Sequence, residues 1–126
     1  MKAILDTSVL LATNVPELEG ELAISAASLA ELHFGILVTA DAAIRAERLR
    51  RLSDLQRNFD ARPVDDEVAA SYGQLAAAVV GSGRQPRSRV MDLLIAATAH
   101  AHAARLYTRN AADLVGIEHL VDIVAV

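Results

Sequence analysis

The sequence contains no cysteine, no tryptophan and a single lysine, Lys2, among its 126 residues. The absence of cysteine excludes a disulfide framework, a thiolate zinc site, an iron–sulfur cluster and a cysteine nucleophile. Aromatic residues make up only 3% of the chain, too few for the base-stacking platforms of many single-strand binders. Phosphate chemistry that depends on a buried lysine has only Lys2 to use, at the start of the chain.

Long apolar runs are also absent. No segment approaches the ~20 apolar residues that span a bilayer, and Asp6 follows only three apolar residues, too few for a signal peptide. We therefore expect a soluble cytoplasmic protein, and the length predicts a single domain over residues 1–126. The net charge of −4 excludes a wholly basic nucleic-acid-binding surface but is compatible with a local basic patch.

Hydrophobic residues account for 53% of the chain, and their pattern alternates short strands with helices. The sequence predicts strands at about 2–5, 22–24, 62–64, 105–108 and 120–126, and helices at about 10–15, 26–37, 41–59, 65–80 and 90–104. Segment 81–87, with two glycines and a proline, is the clearest loop. Such alternation indicates an α/β sandwich, in which a parallel sheet carries helices on both faces.

Four carboxylates stand near the predicted carboxyl ends of these strands, where open α/β sheets bind ligands. Asp6 directly follows the first strand, and Asp113 follows the fourth. Glu31 lies in the helix after the second strand, and Asp92 lies in the first turn of the helix that precedes the fourth. Clustered carboxylates raise one another's pKa unless a cation neutralises them. Sites of this composition suit Mg²⁺ or Mn²⁺ rather than zinc.

Each of these acids also has an ordinary structural interpretation. Asp6 and Asp113 suit turns, Glu31 suits the solvent face of a helix, and Asp92 interacts favourably with a helix dipole. Against this, an aspartate that follows a buried apolar segment is unfavourable without a partner. The set and its positions relative to the strands, rather than any one acid, indicate a functional site.

Four segments occur in order along the chain: ILDTSVL at 4–10, SAASLAEL at 25–32, DLLIAATA at 92–99 and LYTRNAADL at 106–114. Together they resemble a PIN-domain ribonuclease of the VapC toxin type, over essentially the whole chain. The resemblance implies a PIN-like three-layer sandwich with a small, mainly parallel sheet of four to five strands flanked by helices. It also implies a metal-dependent endoribonuclease toxin of a type II toxin–antitoxin system, with Mg²⁺ or Mn²⁺ as cofactor, a cognate VapB-like antitoxin, an RNA substrate and a homodimer.

The family's site residues can be carried over onto this sequence. Asp6, Glu31 and Asp92 match its three best-defined acids. The fourth acid stands at the position of Asn110 in some members and of Asp113 in others, so we expect Asp113, with Asn110 as the second choice. These acids are the expected catalytic and metal-binding residues.

Ser8 and Thr108 place hydroxyl groups beside these acids. Each is expected to hold a carboxylate, a metal water or a phosphate, or else to be an ordinary turn serine and strand-end threonine. Leu114 follows the last acid, where the family often has an aromatic residue. We interpret Leu114 as a tolerated change in the core.

The resemblance implies that Asp6 and Asp92 hold the principal ion, with Glu31 and Asp113 completing the cluster, and that hydrolysis leaves a 5′-phosphate and a 3′-hydroxyl. A divalent ion supports such chemistry by acidifying a bound water. Arginines are expected to position the RNA backbone; the candidates are Arg84, Arg87, Arg89 and Arg109. The arginine-rich face of helix 41–59 is a further RNA candidate, and equally a solvated, dimer or antitoxin surface.

Other reaction classes lack their motifs. Position 8 is a serine, where haloacid dehalogenase-like phosphotransfer needs a second aspartate, and no late lysine exists for that class or for receiver domains. The chain has no Walker A loop, no GxGxxG, no GxSxG and no HExxH. The remaining alternative is a non-catalytic PIN-like module that acts by binding a partner protein or RNA, and the complete acid set argues against it.

Overall fold

The computed structural model describes all 126 residues and contains a five-stranded sheet of order β3-β2-β1-β4-β5, parallel throughout. The strands are β1 (Lys2–Leu5), β2 (Glu21–Ser25), β3 (Ala61–Arg62), β4 (Arg105–Thr108) and β5 (Ile123–Ala125). The helices are α1 (Thr7–Leu10), α2 (Ala26–Leu37), α3 (Ala42–Asn58), α4 (Asp66–Gly81) and α5 (Val90–Ala101). Two 3-10 turns, Pro86–Arg89 and Ala111–Leu114, precede α5 and follow β4.

The two faces of the sheet carry separate apolar clusters, because successive strand side chains point to opposite sides. Ile4 and Leu106 pack with α4 and α5 in the larger cluster of 16 buried residues. Leu5 and Tyr107 face the other way and pack in the smaller cluster of 5, against residues of α1, α2 and α3. The result is the helix–sheet–helix sandwich that the sequence predicts.

Strand β1 lies at the centre of the sheet, between β2 and β4, and its last residue, Leu5, pairs with Ile24 and Tyr107. The carboxyl ends of these three strands therefore meet at one edge. The backbone N–H of Asp6 still donates to Tyr107 O at 2.9 Å, which fixes the first residue beyond β1 against β4. This edge receives the predicted site residues.

Several predicted boundaries are wrong. The first helix covers Thr7–Leu10 rather than 10–15, since the Asp6 side chain caps it immediately by accepting from the backbone N–H of Ser8. β3 is only two residues long, and the next residue, Pro63, has no N–H to donate to a ladder. α5 ends at Ala101, before Ala103 adopts a positive φ of 50°.

Two further boundaries differ near the C-terminus and in the glycine-containing loop. The last strand is Ile123–Ala125 and not 120–126, because the backbone N–H groups of Leu120 and Val121 donate to Ile117 O in a preceding turn. Part of the predicted loop 81–87 is ordered, since Gly81 ends α4 and Pro86 begins a 3-10 turn. No helix in the structure is both long and apolar enough to cross a membrane.

We expect Ser25→Ala to lower the free energy of unfolding by about 1–2 kcal/mol. Ser25 is fully buried, its hydroxyl caps α2 by accepting from Ala27 N–H, and it lies 2.9 Å from Thr98 Oγ1 on α5. The matched control is Ser53→Ala, an exposed serine on α3. Urea denaturation measures both, and an equal, negligible effect of the two changes would contradict this account of how α2 is anchored.

Candidate functional site

Asp6 is the most firmly held of the predicted acids. It is buried, with 7% of its surface exposed, and one carboxylate oxygen, Oδ2, accepts from Ser8 Oγ and, at 3.0 Å, from Thr108 Oγ1. The other oxygen, Oδ1, makes no hydrogen bond, and the only buried side-chain polar atom without a partner is His102 Nε2. Asp6 Oδ1 is therefore open to solvent and free to bind a ligand.

Ser8 and Thr108 are themselves tied to the loop after β4. Ser8 Oγ accepts from Arg109 N–H and Thr108 Oγ1 accepts from Asn110 N–H, both at 3.0 Å. Each hydroxyl thus has a backbone donor behind it and directs its own proton at Asp6. Of the two interpretations left open by the sequence, the structure favours the one in which these hydroxyls hold a carboxylate.

Glu31 is positioned by two residues that the sequence analysis missed. Thr7 Oγ1 lies 2.8 Å from Glu31 Oε1 and 3.0 Å from Ser28 Oγ. Ser28 is fully buried one helical turn before Glu31, so both face Thr7 from α2. The i, i+3 spacing of Ser28 and Glu31 was a usable signal, but only the packing of α1 on α2 brings Thr7 to them.

Asp92 shows that the four acids share one electrostatic environment. Its pKa is raised, first by burial and then by the negative charges of Asp6, Glu31 and Asp113, while Arg89 acts in the opposite direction. A nearby negative charge raises a carboxyl pKa because it disfavours the ionised form. The four acids therefore act on one another electrostatically, and their joint role as one site stays a prediction.

Asp113, rather than Asn110, adds its negative charge to this environment. Arg89 Nη2 lies 3.2 Å from Asp113 Oδ1, in an ion pair across the mouth of the site. The side chain of Asn110 makes no hydrogen bond, and its backbone carbonyl accepts from Asp113 N–H at 2.9 Å. Asn110 therefore shapes the turn that presents Asp113.

The four predicted RNA-positioning arginines are all exposed, and they differ in the contacts that their side chains make. Arg84 and Arg87 form no ion pair or hydrogen bond through their side chains. Arg89 is paired with Asp113, and Arg109 Nη2 donates to Asn14 O at 3.0 Å. Arg84 and Arg87 have guanidinium groups that are available to a phosphate.

The donor set of the acid cluster fits a divalent cation. It offers carboxylate oxygens, with Asp6 Oδ1 free of hydrogen bonds, and Arg89 is the one cation that lowers the pKa of Asp92. Hard divalent ions prefer this chemistry. As they stand, no three His, Asp or Glu side chains are spaced to hold one ion, so the carboxylates would have to draw together around it.

The sequence matches one protein family and is similar to several known proteins. Residues 3–112 match the family model described as PIN domain. The chain is 35% identical over 116 residues to Ribonuclease VapC5 of Mycobacterium tuberculosis, across 85% of this chain and 82% of that protein. It is also 35% identical over 100 residues to Ribonuclease VapC8 of the same species, across 76% of this chain and 88% of that protein.

Solved structures agree with these relatives. The crystal structure of VapBC-5, a VapBC toxin–antitoxin system of M. tuberculosis, contains a chain that superposes with a TM-score of 0.83 and 32% identity, over 99% of this chain and 97% of that one. FitAcB of Neisseria gonorrhoeae superposes with a TM-score of 0.80 over 96% and 95% of the two chains. At 24% identity, that second likeness concerns the fold alone.

The charge of Asp92 should make the metal-free protein less stable as pH rises. Because its pKa in the folded chain is raised above the ordinary 3.8, the folded chain holds a proton that the unfolded chain has released, and stability falls as pH rises through that interval. In EDTA, Asp92→Asn should be more stable than wild type at pH 7, and this advantage should shrink to nothing below pH 3.8.

The control for this prediction is Glu47→Gln, which removes an exposed carboxylate on α3. Thermal unfolding across the pH range measures all three proteins. A stability difference between Asp92→Asn and wild type that does not change with pH would mean that the carboxyl group of Asp92 experiences no burial and no repulsion.

Proposed function

The chain belongs to the PIN-domain family, and we propose that it is the endoribonuclease toxin of a type II toxin–antitoxin pair, cutting RNA with a divalent cation. The observation that carries the proposal is the set of four acids at the carboxyl edge of the sheet, where burial and the charges of the other three raise the pKa of Asp92. The relatives named ribonucleases support the same activity.

Asp6 and Asp92 would hold the cation, which we propose to be Mg²⁺ or Mn²⁺, with Glu31 and Asp113 completing the cluster. When bound, such an ion lowers the pKa of water and neutralises charge on the phosphate. The hydroxyls of Ser8 and Thr108 keep Oδ2 of Asp6 occupied, so Oδ1 is presented outward. Thr7 likewise holds Oε1 of Glu31. The other oxygen, Oε2, makes no hydrogen bond and remains free to orient an attacking water.

Hydrolysis in this arrangement would release the 3′-oxygen of one nucleotide and leave the phosphate on the 5′ side of the next. Arg84 and Arg87, which have no acidic partner, would bind the RNA backbone beside the site, where phosphate contacts set register rather than sequence. Arg89 would exchange Asp113 for a phosphate once the acids are neutralised, and Arg109 would contribute from the loop after β4. The products would carry 5′-phosphates and 3′-hydroxyls.

A toxin of a toxin–antitoxin pair has an antitoxin protein as its partner. Solved neighbours of this fold are VapBC toxin–antitoxin complexes, and we propose a VapB-like antitoxin as the cognate partner of this chain. We further propose that the chain is one PIN domain over residues 1–126, that it forms a homodimer, and that it acts in the cytoplasm, where RNA is available.

Asp6→Asn should reduce RNA cleavage by at least about 100-fold. The asparagine carbonyl can still accept from Ser8 and Thr108, so in EDTA the melting temperature should be equal or higher. The measurement is cleavage of a mixed structured RNA pool in EDTA, Mg²⁺ or Mn²⁺, with 5′ ends identified by a phosphate-dependent exonuclease. Glu47→Gln is the control and should cut as wild type does.

Cuts that persist in EDTA, or that survive the Asp6→Asn change, would overturn the metal-dependent site. If wild type cuts no RNA and binds no Mn²⁺, the non-catalytic partner-binding module becomes the better account of the chain. A marked fall in melting temperature for Asp6→Asn would make Asp6 a structural residue.

Thr7→Val should weaken Mn²⁺ binding about tenfold, as loss of a hydrogen bond to a ligand does, whereas Thr7→Ser should bind as wild type. Valine keeps the shape of threonine but removes the hydroxyl that holds Glu31 Oε1. Isothermal titration calorimetry measures the affinity, and the pH dependence of cleavage should change for valine only. Equal behaviour of the serine and valine variants would show that Thr7 acts by packing.

A further inference from the structure

The sheet has a cavity at its amino edge, away from the four acids. The first residues of β1 and β2 and the turn between α5 and β4 enclose a space of about 240 Å³. Residues 2–4 and 21–23 line it, together with His102 and Ala104 from the turn. None of the candidate acids belongs to this lining. The cavity is therefore separate from the site at the carboxyl edge.

The floor of the cavity is apolar. Ile4 and Ala23 lie on the sheet face that α4 and α5 cover, and both are buried. α5 ends at Ala101, and the chain turns through Ala103, which has a positive φ of 50°. Because the helix ends there, the first residues of β1 and β2 are exposed. The methyl side chains of Ala23 and Ala104 leave the space above the floor open.

The rim of the cavity carries two cations and two anions. They are Lys2 in β1, Glu21 in β2, and Asp60 and Arg62 beside Ala61 in β3. Lys2 pairs with Glu21 in the sheet, and Asp60 and Arg62 flank Ala61 and so point to one face. All four are exposed, and none forms an ion pair or a side-chain hydrogen bond. Charges of both signs therefore surround the apolar floor without contacting one another.

His102 adds a polar atom that the protein leaves unpaired. Its Nε2 is the only buried side-chain nitrogen or oxygen without a hydrogen-bond partner. A buried polar atom in that state is unfavourable, and native proteins pair the large majority of such atoms with protein or ordered water. Because His102 lines the cavity, a molecule bound there can supply the missing partner.

We propose that this cavity binds a small zwitterion, an aliphatic α-amino acid by chemical class. Lys2 and Arg62 match its carboxylate, with which arginine forms strong paired hydrogen bonds. Glu21 and Asp60 match its ammonium group, and the floor receives its aliphatic side chain. A simple anion would be repelled by the two acids, and a simple cation by the two bases. A ligand that carries both charges satisfies both pairs.

The size of the cavity agrees with a ligand of this class. Its volume of about 240 Å³ is below the ~300–1,000 Å³ of pockets for drug-sized molecules. It is also far above the ~30 Å³ that one water occupies in the liquid. Leucine and valine lie between these limits. The inference does not rest on the proposed ribonuclease activity, since no acid of that site takes part.

The first test compares leucine with two analogues that each lack one of its charges. Isocaproate keeps the carboxylate, isoamylamine keeps the ammonium group, and inorganic phosphate is the probe for a plain anion site. Leucine should raise the melting temperature of the wild-type protein increasingly with its concentration, and the other three should not. Isothermal titration calorimetry should give leucine a dissociation constant of about 1 mM, as suits so small a ligand.

The second test removes the anions of the rim with Glu21→Gln plus Asp60→Asn. Leucine affinity should fall at least about tenfold, the effect of losing charged hydrogen-bond partners. Isocaproate should now bind, because the carboxylates that repelled it are gone. The matched control is Glu17→Gln plus Glu47→Gln, which removes two exposed carboxylates outside the cavity. The melting temperature without ligand shows that each variant is folded.

The third test removes a cation of the rim with Arg62→Gln. Its control is Arg50→Gln, an exposed arginine of α3 that forms no ion pair and does not line the cavity. Leucine affinity should fall about tenfold for Arg62→Gln and stay at the wild-type value for Arg50→Gln.

The outcomes decide the proposal without any RNA assay. Leucine binding that is lost in the rim variants and kept in their controls supports it. Failure of wild type to bind leucine overturns it. Equal binding of isocaproate or phosphate by wild type would make the cavity an anion site and also overturn it. If the rim variants bind leucine as their controls do, leucine binds elsewhere and the assignment of this cavity is wrong.

Discussion

The burial of Asp92 beside three other carboxylates, at one edge of a small sheet, is the constraint around which the site is organised. Burial and three neighbouring negative charges raise the pKa of Asp92, with Arg89 acting against them. The chain keeps such a cluster folded by fixing its members individually. Ser8 and Thr108 hold Asp6, Thr7 holds Glu31, and Arg89 pairs with Asp113. The three acids held in this way keep free carboxylate oxygens, the donors that hard divalent cations prefer.

The hydroxyl groups also couple the site to the fold. Thr108 ends β4 and Ser8 lies in α1, yet both reach the same oxygen of Asp6, and backbone N–H groups of the loop after β4 hold them in place. Ser25 anchors the start of α2 to α5 through Thr98, and α2 in turn carries Ser28 and Glu31. The site is thus assembled from the segments that follow β1, β2 and β4, together with the first turn of α5.

Beyond the acids, two surface regions carry arginines that have no acidic partner. Arg84 and Arg87 project from the turn before α5, and Arg48 and Arg51 flank an apolar groove between α2 and α3. The net charge of −4 gives no indication of either positively charged region. The groove adjoins the carboxylates, since Thr7 and Glu31 belong to its lining.

The sequence by itself determined the parallel α/β sandwich, since apolar periodicity is a local property, and its motifs identified the PIN family, while the four candidate acids stay a prediction. It misplaced the ends of α1, β3, α5 and β5, because Pro63, Ala103 and the side-chain cap by Asp6 act through individual contacts that periodicity does not record. Thr7 and Ser28 escaped notice for a related reason: they lie 21 positions apart and meet only when α1 packs on α2. The pairing of Arg89 with Asp113 and the groove between α2 and α3 were likewise decided by tertiary structure, because each depends on the distance between atoms of separate elements.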